Sequence, residues 1–290
     1  MAIQTATTGN LENAQRIAIA QAKYTMEHSA PCVNLIEHMK LAKGEKQITV
    51  PKVGRMTAAD LVDGIDMVDT EDIGMTTTDL TTSEVGMKVI LTKKMLRQEN
   101  EDVFRMVGRQ MGDGMGRKKD EDIIALFSAL NGGTTLGADG KNMSMTNLAA
   151  CISKAKSAPY PNPVAVVHHP NALYEMTKGT VITPGSTYPI PHGYAEDLLK
   201  DFYKMKLNGV SVFEDGNIDK ITNYDSGYGA IFSKQAMVIV ESLGMTVEKD
   251  EDISLRAWEV VVTSDYGCFE LDDGYGAPMQ YEIGDPATNN

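Results

Sequence analysis

VAVVHHPNALYEMTKG, residues 164–179, is an apolar run ending in two imidazoles, followed by a proline and a helix-forming stretch. Adjacent histidines invite a metal or catalytic reading, so the backbone they sit on decides the matter. Four consecutive apolar residues rich in valine read as a buried strand, and Pro170 suits the first turn of a helix because its missing N–H would have no partner there. On a strand successive side chains point to opposite faces, so His168 and His169 cannot both reach one ion. His192 joins them only by arbitrary folding, and the chain has no HxH or HExxH spacing. The pair is therefore read as structural histidines at a strand-to-helix passage, with Gly179 expected to cap the helix.

Outward from this unit, helices and strands alternate. TNLAACISKAKSA, 146–158, reads as a helix, and PGSTYPIPHGY, 184–194, as an irregular loop. GVSVFEDGNI, 209–218, and GAIFSKQAMVIVE, 229–241, read as strands, and SLGMTVEKD, LRAWEVVVTSDYG and APMQYEI make the last third β-rich. Upstream, ENEDVFRMVGRQMGDGMGRKKDEDIIALFSAL, 99–130, reads as a long helix of about 45 Å. At about 100° per residue, Phe104, Val107 and Met111 share one face, and Ile123, Phe127 and Leu130 another, roughly half a turn away. The helix thus changes partners midway, where Gly108, Gly112, Gly114 and Gly116 each cost about 1 kcal/mol of helix propensity relative to alanine. A bend or hinge is expected there. NGGTTLGADGKN, 131–142, ends the element as a loop.

Residues 11–28, after a possible Asn10 cap, read as an N-terminal helix broken by Pro31. KQITVPKVG, 46–54, and EVGMKVILT, 84–92, read as strands, the first demoted to an edge by Pro51. Between them the stretch from 55 to 83 is rich in Thr, Asp and Gly, which is long for a loop inside a compact domain. Its flanking strands favour an extended two-stranded arm over the alternative of a floppy surface insertion. The fold class is α+β.

Composition excludes several functions. With 42% hydrophobic and 23% charged residues in 290, the chain can build more than one core. No apolar run approaches the roughly 20 residues of a membrane helix, and MAIQTATTGN lacks the character of a signal peptide, so no membrane partner is expected. Cys32, Cys151 and Cys268 form no CxxC pair and are read as small buried hydrophobes in a reducing compartment. The net charge of −13 disfavours a dedicated nucleic-acid binder. GDGMGRKKD, 112–120, lacks the strand before it and the Gly-Lys-Ser/Thr ending of a phosphate loop, so it is read as a helix joint with a solvated basic patch. EKDEDI, 248–253, and TED, 70–72, lack the alternation of a calcium loop. No nucleophile motif is evident. The expectation is no enzyme, no catalytic residue, no metal and no cofactor.

The order of these elements resembles the Hong Kong 97-type major capsid protein of tailed double-stranded DNA bacteriophages. The resemblance covers nearly the whole chain and rests on 84–104, on VAVVHHPNALYEM at 164–176, and on the strands from Gly229 to Gly267. It implies an N-terminal arm at 1–40, an extended β-hairpin loop at 41–90, a peripheral domain with the long spine helix at 91–145 and 232–265, and an axial domain at 146–231 and 266–290. It implies a structural major capsid protein that self-assembles into hexamers and pentamers, forming an icosahedral head around packaged DNA without sequence-specific binding. Arg55, Met56, Met75, Thr76 and Thr77 are the expected intersubunit contacts, and Gly108, Gly112, Gly114 and Gly116 the helix hinge. Implied partners are further copies of the chain, a portal protein, a cement or decoration protein and, since the arm begins close to Met1, a separate scaffolding protein. Assembly is expected in the bacterial cytoplasm, with the virion as final location. The founding member's loop carries a lysine that bonds covalently to a neighbour; here Val53 to Met87 contains no lysine, so non-covalent contacts are expected. Rival readings are an encapsulin-type compartment, a His-assisted hydrolase and a tail or head-decoration protein.

Overall fold

The computed structural model describes residues 30–53, 60, 74–94, 102–181, 206–221 and 224–286. The expected N-terminal helix, the loop at 184–194, His192 and the TED carboxylates lie outside them. Two sheets and one long helix organise the rest. The first sheet has four strands in the order β1, Glu37–Lys40; β10, Met237–Asp252; β11, Ala257–Glu270; and β4, Ser83–Thr92. β10 and β11 form a long antiparallel hairpin, β4 pairs antiparallel to β11, and β1 runs parallel to the start of β10 with Glu37 beside Val238. The second sheet has six strands in the order β5, Leu136–Gly137; β12, Gly276–Glu282; β9, Ser226–Ser233; β6, Val164–His168; β8, Val210–Glu214; and β7, Lys206–Leu207.

The main core lies over the six-stranded sheet. Val166, Val167, Ile231, Phe232, Met279 and Tyr281 on its strands meet Leu148, Cys151 and Ile152 from α3, Met145–Ser157, and Ala172 and Met176 from α4, Pro170–Val181. α3 starts where the Ser144 side chain accepts the Asn147 N–H at 3.1 Å, satisfying one of the free donors of the first turn. α4 does begin at Pro170, but it runs through Gly179 to Val181, so that glycine is inside the helix and not its cap.

The long helix, here α2, spans Asp102–Phe127, with α1, Cys32–Leu35, packed beside it. Its change of partners is as expected. Met111 and Met115, with Val107, pack on Val262, Val260, Val85, Met87 and Val89 of the four-stranded sheet. Half a turn round, Ile123 and Phe127 enter the main core, followed by Leu130 in a 3-10 turn at Leu130–Gly133. All four glycines lie within this one uninterrupted helix. The basic patch is only partly solvated. Arg117 and Lys118 pair with Glu121 and Asp122 along the helix, but Lys119 is mostly buried, 2.6 Å from Glu241 on β10 and over the Tyr266 ring.

One strand pairing differs from expectation. The arm's second strand is not EVGMKVILT, which lies in the four-stranded sheet, but β3, Thr76–Thr81, drawn from the threonine-rich stretch. It pairs antiparallel with β2, Gln47–Lys52, from Gln47 opposite Thr81 to Lys52 opposite Thr76. β-branched threonines suit a pleated, half-exposed ribbon, and Leu80 supplies the inward anchor. The division drawn at 265 falls inside β11, whose residues through Glu270 continue to pair with β10.

Candidate assembly interface

The β2–β3 ribbon is fixed at one end and open at the other. At its root Leu80 is fully buried with Leu41, Val238 and Val240, and Ile48, Val50, Phe269 and Leu271 close around them. Thr49 Oγ1 donates to Asp79 across the ribbon at 2.6 Å, and Thr82 Oγ1 to Asp265 at 3.0 Å and Lys52 Nζ to Asp272 at 2.7 Å tie it to the body. β3 crosses β11 so closely that a Cβ on Gly267 would stand 2.2 Å from the Thr81 carbonyl oxygen. Away from the root, Val53, Met75, Thr76 and Thr77 are exposed. Arg55 and Met56 lie outside the described residues. Among those residues the ribbon has only two strands, so each presents an unpaired edge able to accept a further strand.

A second projecting feature is the far half of the β10–β11 hairpin. β1 stops at Lys40 opposite Glu241, and beyond that point, among the described residues, β10 pairs with β11 alone. Leu243, Met245, Val247, Ile253 and Leu255 form an exposed apolar row there, with Ile253 at the turn 81% exposed. The turn is tight: Asp252 Oδ1 accepts from the Ser254 N–H, the Ser254 hydroxyl and the Leu255 N–H at 2.8, 2.6 and 3.0 Å. These bonds, that of the Ser254 hydroxyl foremost, hold the carboxyl below its ordinary value. The EKDEDI carboxylates are thus turn and edge groups.

The helix glycines occupy two environments. A methyl at Gly108 or Gly116 would meet nothing within 4 Å, whereas one at Gly114 would come within 3.0 Å of Met87 Cε, so Gly114 lets helix and sheet approach closely.

The histidines are structural. His168 is fully buried, and its Nδ1 accepts the His169 N–H at 2.9 Å. Its buried Nε2 has no hydrogen-bond partner among the described residues. Burial, then the neighbouring His169, lowers its pKa to about 3, so the ring is neutral. His169 Nδ1 instead accepts the Asn171 N–H at 3.2 Å at the start of α4.

One constellation was hidden from sequence reasoning. Cys32, Asp120 and Asp215 place their ligand atoms within 4.8 Å of one another, all buried. The Cys32 N–H donates to Asp120 Oδ1 at 3.1 Å and the Cys32 thiol to Asp215 Oδ2 at 3.3 Å. Asn217 donates its side-chain N–H to Asp120 Oδ2 at 3.0 Å and its main-chain N–H to Asp215 Oδ1 at 2.9 Å. The available signal was Asp120 itself, three residues before Ile123 and so on the apolar stripe of its helix.

The ribbon anchored on the subunit's own body keeps both edges open among the described residues, and His168 and His169 receive main-chain N–H groups at the strand-to-helix passage. The chain belongs to the phage capsid protein family, whose model matches residues 75–277. No curated protein matches it in sequence. In fold it is similar to the capsid of cyanophage P-SCSP1u, at 16% identity and a TM-score of 0.69 over 91% of this chain and 92% of that one. It is likewise similar to the acid-stable capsid of Helicobacter pylori bacteriophage KHP30, at 9% identity and a TM-score of 0.72 over 97% and 100%. The SrpI encapsulin of Synechococcus elongatus shares the fold at 13% identity, a TM-score of 0.62 and full coverage of both chains. The protein has the Hong Kong 97-type capsid fold, is a structural component of the virion shell and is not an enzyme.

Proposed function

We propose that this chain is the major capsid protein, building hexamers and pentamers of a closed head around double-stranded DNA, with the β2–β3 ribbon laid across a neighbouring subunit. The rooted, open-edged ribbon carries this reading. Met75, Thr76 and Thr77, with Arg55 and Met56, are the contact residues, and Gly108, Gly112, Gly114 and Gly116 let the long helix adjust between five-fold and six-fold rings, which need slightly different angles. The arm, loop, peripheral and axial parts of the sequence reading are kept, with β4 moved from the loop to the four-stranded sheet and the boundary at 265 moved past Glu270; a separate scaffolding protein, a portal, a cement protein and assembly in the bacterial cytoplasm are kept as well. With no lysine between Val53 and Met87, the loop grips without a covalent bond.

Electron microscopy of the purified protein, alone and co-expressed with a scaffolding protein, tests this. Closed polyhedral particles are expected, and a deletion of residues 54–73 should leave folded subunits that do not close. A monomer under every condition would overturn the proposal. The encapsulin likeness supports a second reading, a protein-filled compartment, which the particle contents distinguish: enzyme cargo in place of DNA.

A further inference from the structure

The Cys32, Asp120 and Asp215 cluster lies where three separate parts of the chain meet. Cys32 opens α1 at the root of the N-terminal segment, Asp120 is on the long helix, and Asp215 follows β8 of the six-stranded sheet, its N–H bonded to the His168 carbonyl at 3.1 Å. Both carboxyls are fully buried. Among the described residues no Lys, Arg or His pairs with either one. The titratable group facing them from α1 is the Cys32 thiol, which burial pushes up and keeps neutral. From β6 the His168 carbonyl accepts the Asp215 N–H. On the long helix, Lys119 is committed to Glu241, and Glu121 and Asp122 to Arg117 and Lys118. Two carboxylates this close, buried and without a cation, cannot both be charged at low cost.

We infer that Asp120 and Asp215 share one proton and act as a pH-operated latch on the root of the N-terminal segment. With the proton in place, the pair carries one negative charge and receives the Cys32 N–H and thiol, holding α1 against the long helix. When the proton leaves to solvent, the pair carries two like charges within 4.8 Å, and residues 31–36 loosen. The operating range fits this geometry: burial above all, then the hydrogen bond to Asp215, pushes Asp120 up to about 7. The native pair keeps a proton that unfolded carboxyls release near pH ~4, so its contribution to stability is full below that value and is lost as pH rises towards about 7.

Hydrogen exchange on the full chain tests the latch independently of shell formation. After correction for intrinsic rates, the 32–36 amides should open about tenfold faster at about pH 8.5 than at about pH 5.5. Asp215→Asn should flatten this difference, because its amide donates to Asp120 without a shared proton. Infrared titration of the wild-type protein, which needs no variant, should show a carboxylic-acid C=O band that disappears through neutrality. Opening that is the same at both pH values in the wild type, or no such band titrating near neutrality, overturns the inference.

Discussion

Gly229 shows how little slack surrounds the strand-to-helix passage. A Cβ there would stand 2.3 Å from His168 Cδ2 and 2.5 Å from the Val167 carbonyl oxygen, so Gly229→Ala must move backbone as well as a ring. Overpacking of this kind costs about 1–3 kcal/mol, and urea denaturation should show a loss at or above the top of that range. His168 gives a pH signature. Its folded pKa is lowered to about 3 from 6.5, so the unfolded chain takes up a proton that the native chain refuses. Its contribution is fully present above pH ~6.5 and falls away below, approaching about 1.4 kcal/mol per pH unit. The difference in unfolding free energy between wild type and His168→Gln, followed from about pH 7 to about pH 4, should change with that sign; a constant difference would contradict a neutral buried ring. Strand alternation reaches only the first of the pair: β6 ends at His168, and His169 lies past it at the start of α4, where its ring accepts the Asn171 N–H. The partner of Asp120 was invisible because 95 residues separate it from Asp215, and nothing in either neighbourhood names the other.

Among the elements, the ribbon and the long helix make opposite predictions. Leu80→Ala removes a fully buried anchor and should cost about 2–5 kcal/mol, with earlier proteolytic cleavage at the ribbon root. Thr77→Ala, at an exposed position, should leave monomer stability within about 0.5 kcal/mol while lowering particle yield. In the helix, Gly108→Ala and Gly116→Ala meet open space, so each should stabilise the subunit by up to about 1 kcal/mol. If these glycines serve as a joint, the same changes should reduce closure into shells, read by electron microscopy as tubes or open sheets; unchanged shells would remove the hinge. The helix and its two stripes were legible because a period of 3.6 is written directly in the residues. The choice of β3 over β4 as the ribbon's second strand was not. Both stretches carry β-formers, and the decision rests with β11, which offers β4 a long partner that the local pattern does not announce.

For the whole molecule, the net charge of −13 sets the terms of association. Like-charged subunits repel beyond their contacts, and at about 0.1 M salt the screening length is about 10 Å. Light scattering should therefore show assembly beginning at lower protein concentration as salt rises; the reverse would mean that ion pairs dominate the contacts. The architecture was readable from the order of elements, while the placement of β1 was not, since a four-residue strand carries no periodic signal of its own. That strand has a consequence during synthesis. Glu37 waits for Val238, and Ser83 for Tyr266, whereas Gln47 and Thr81 leave the ribosome close together. The ribbon's two strands can therefore pair early, but Val238, Val240 and Phe269, which bury its Leu80 anchor, arrive only near the end of synthesis, so the ribbon gains its root last.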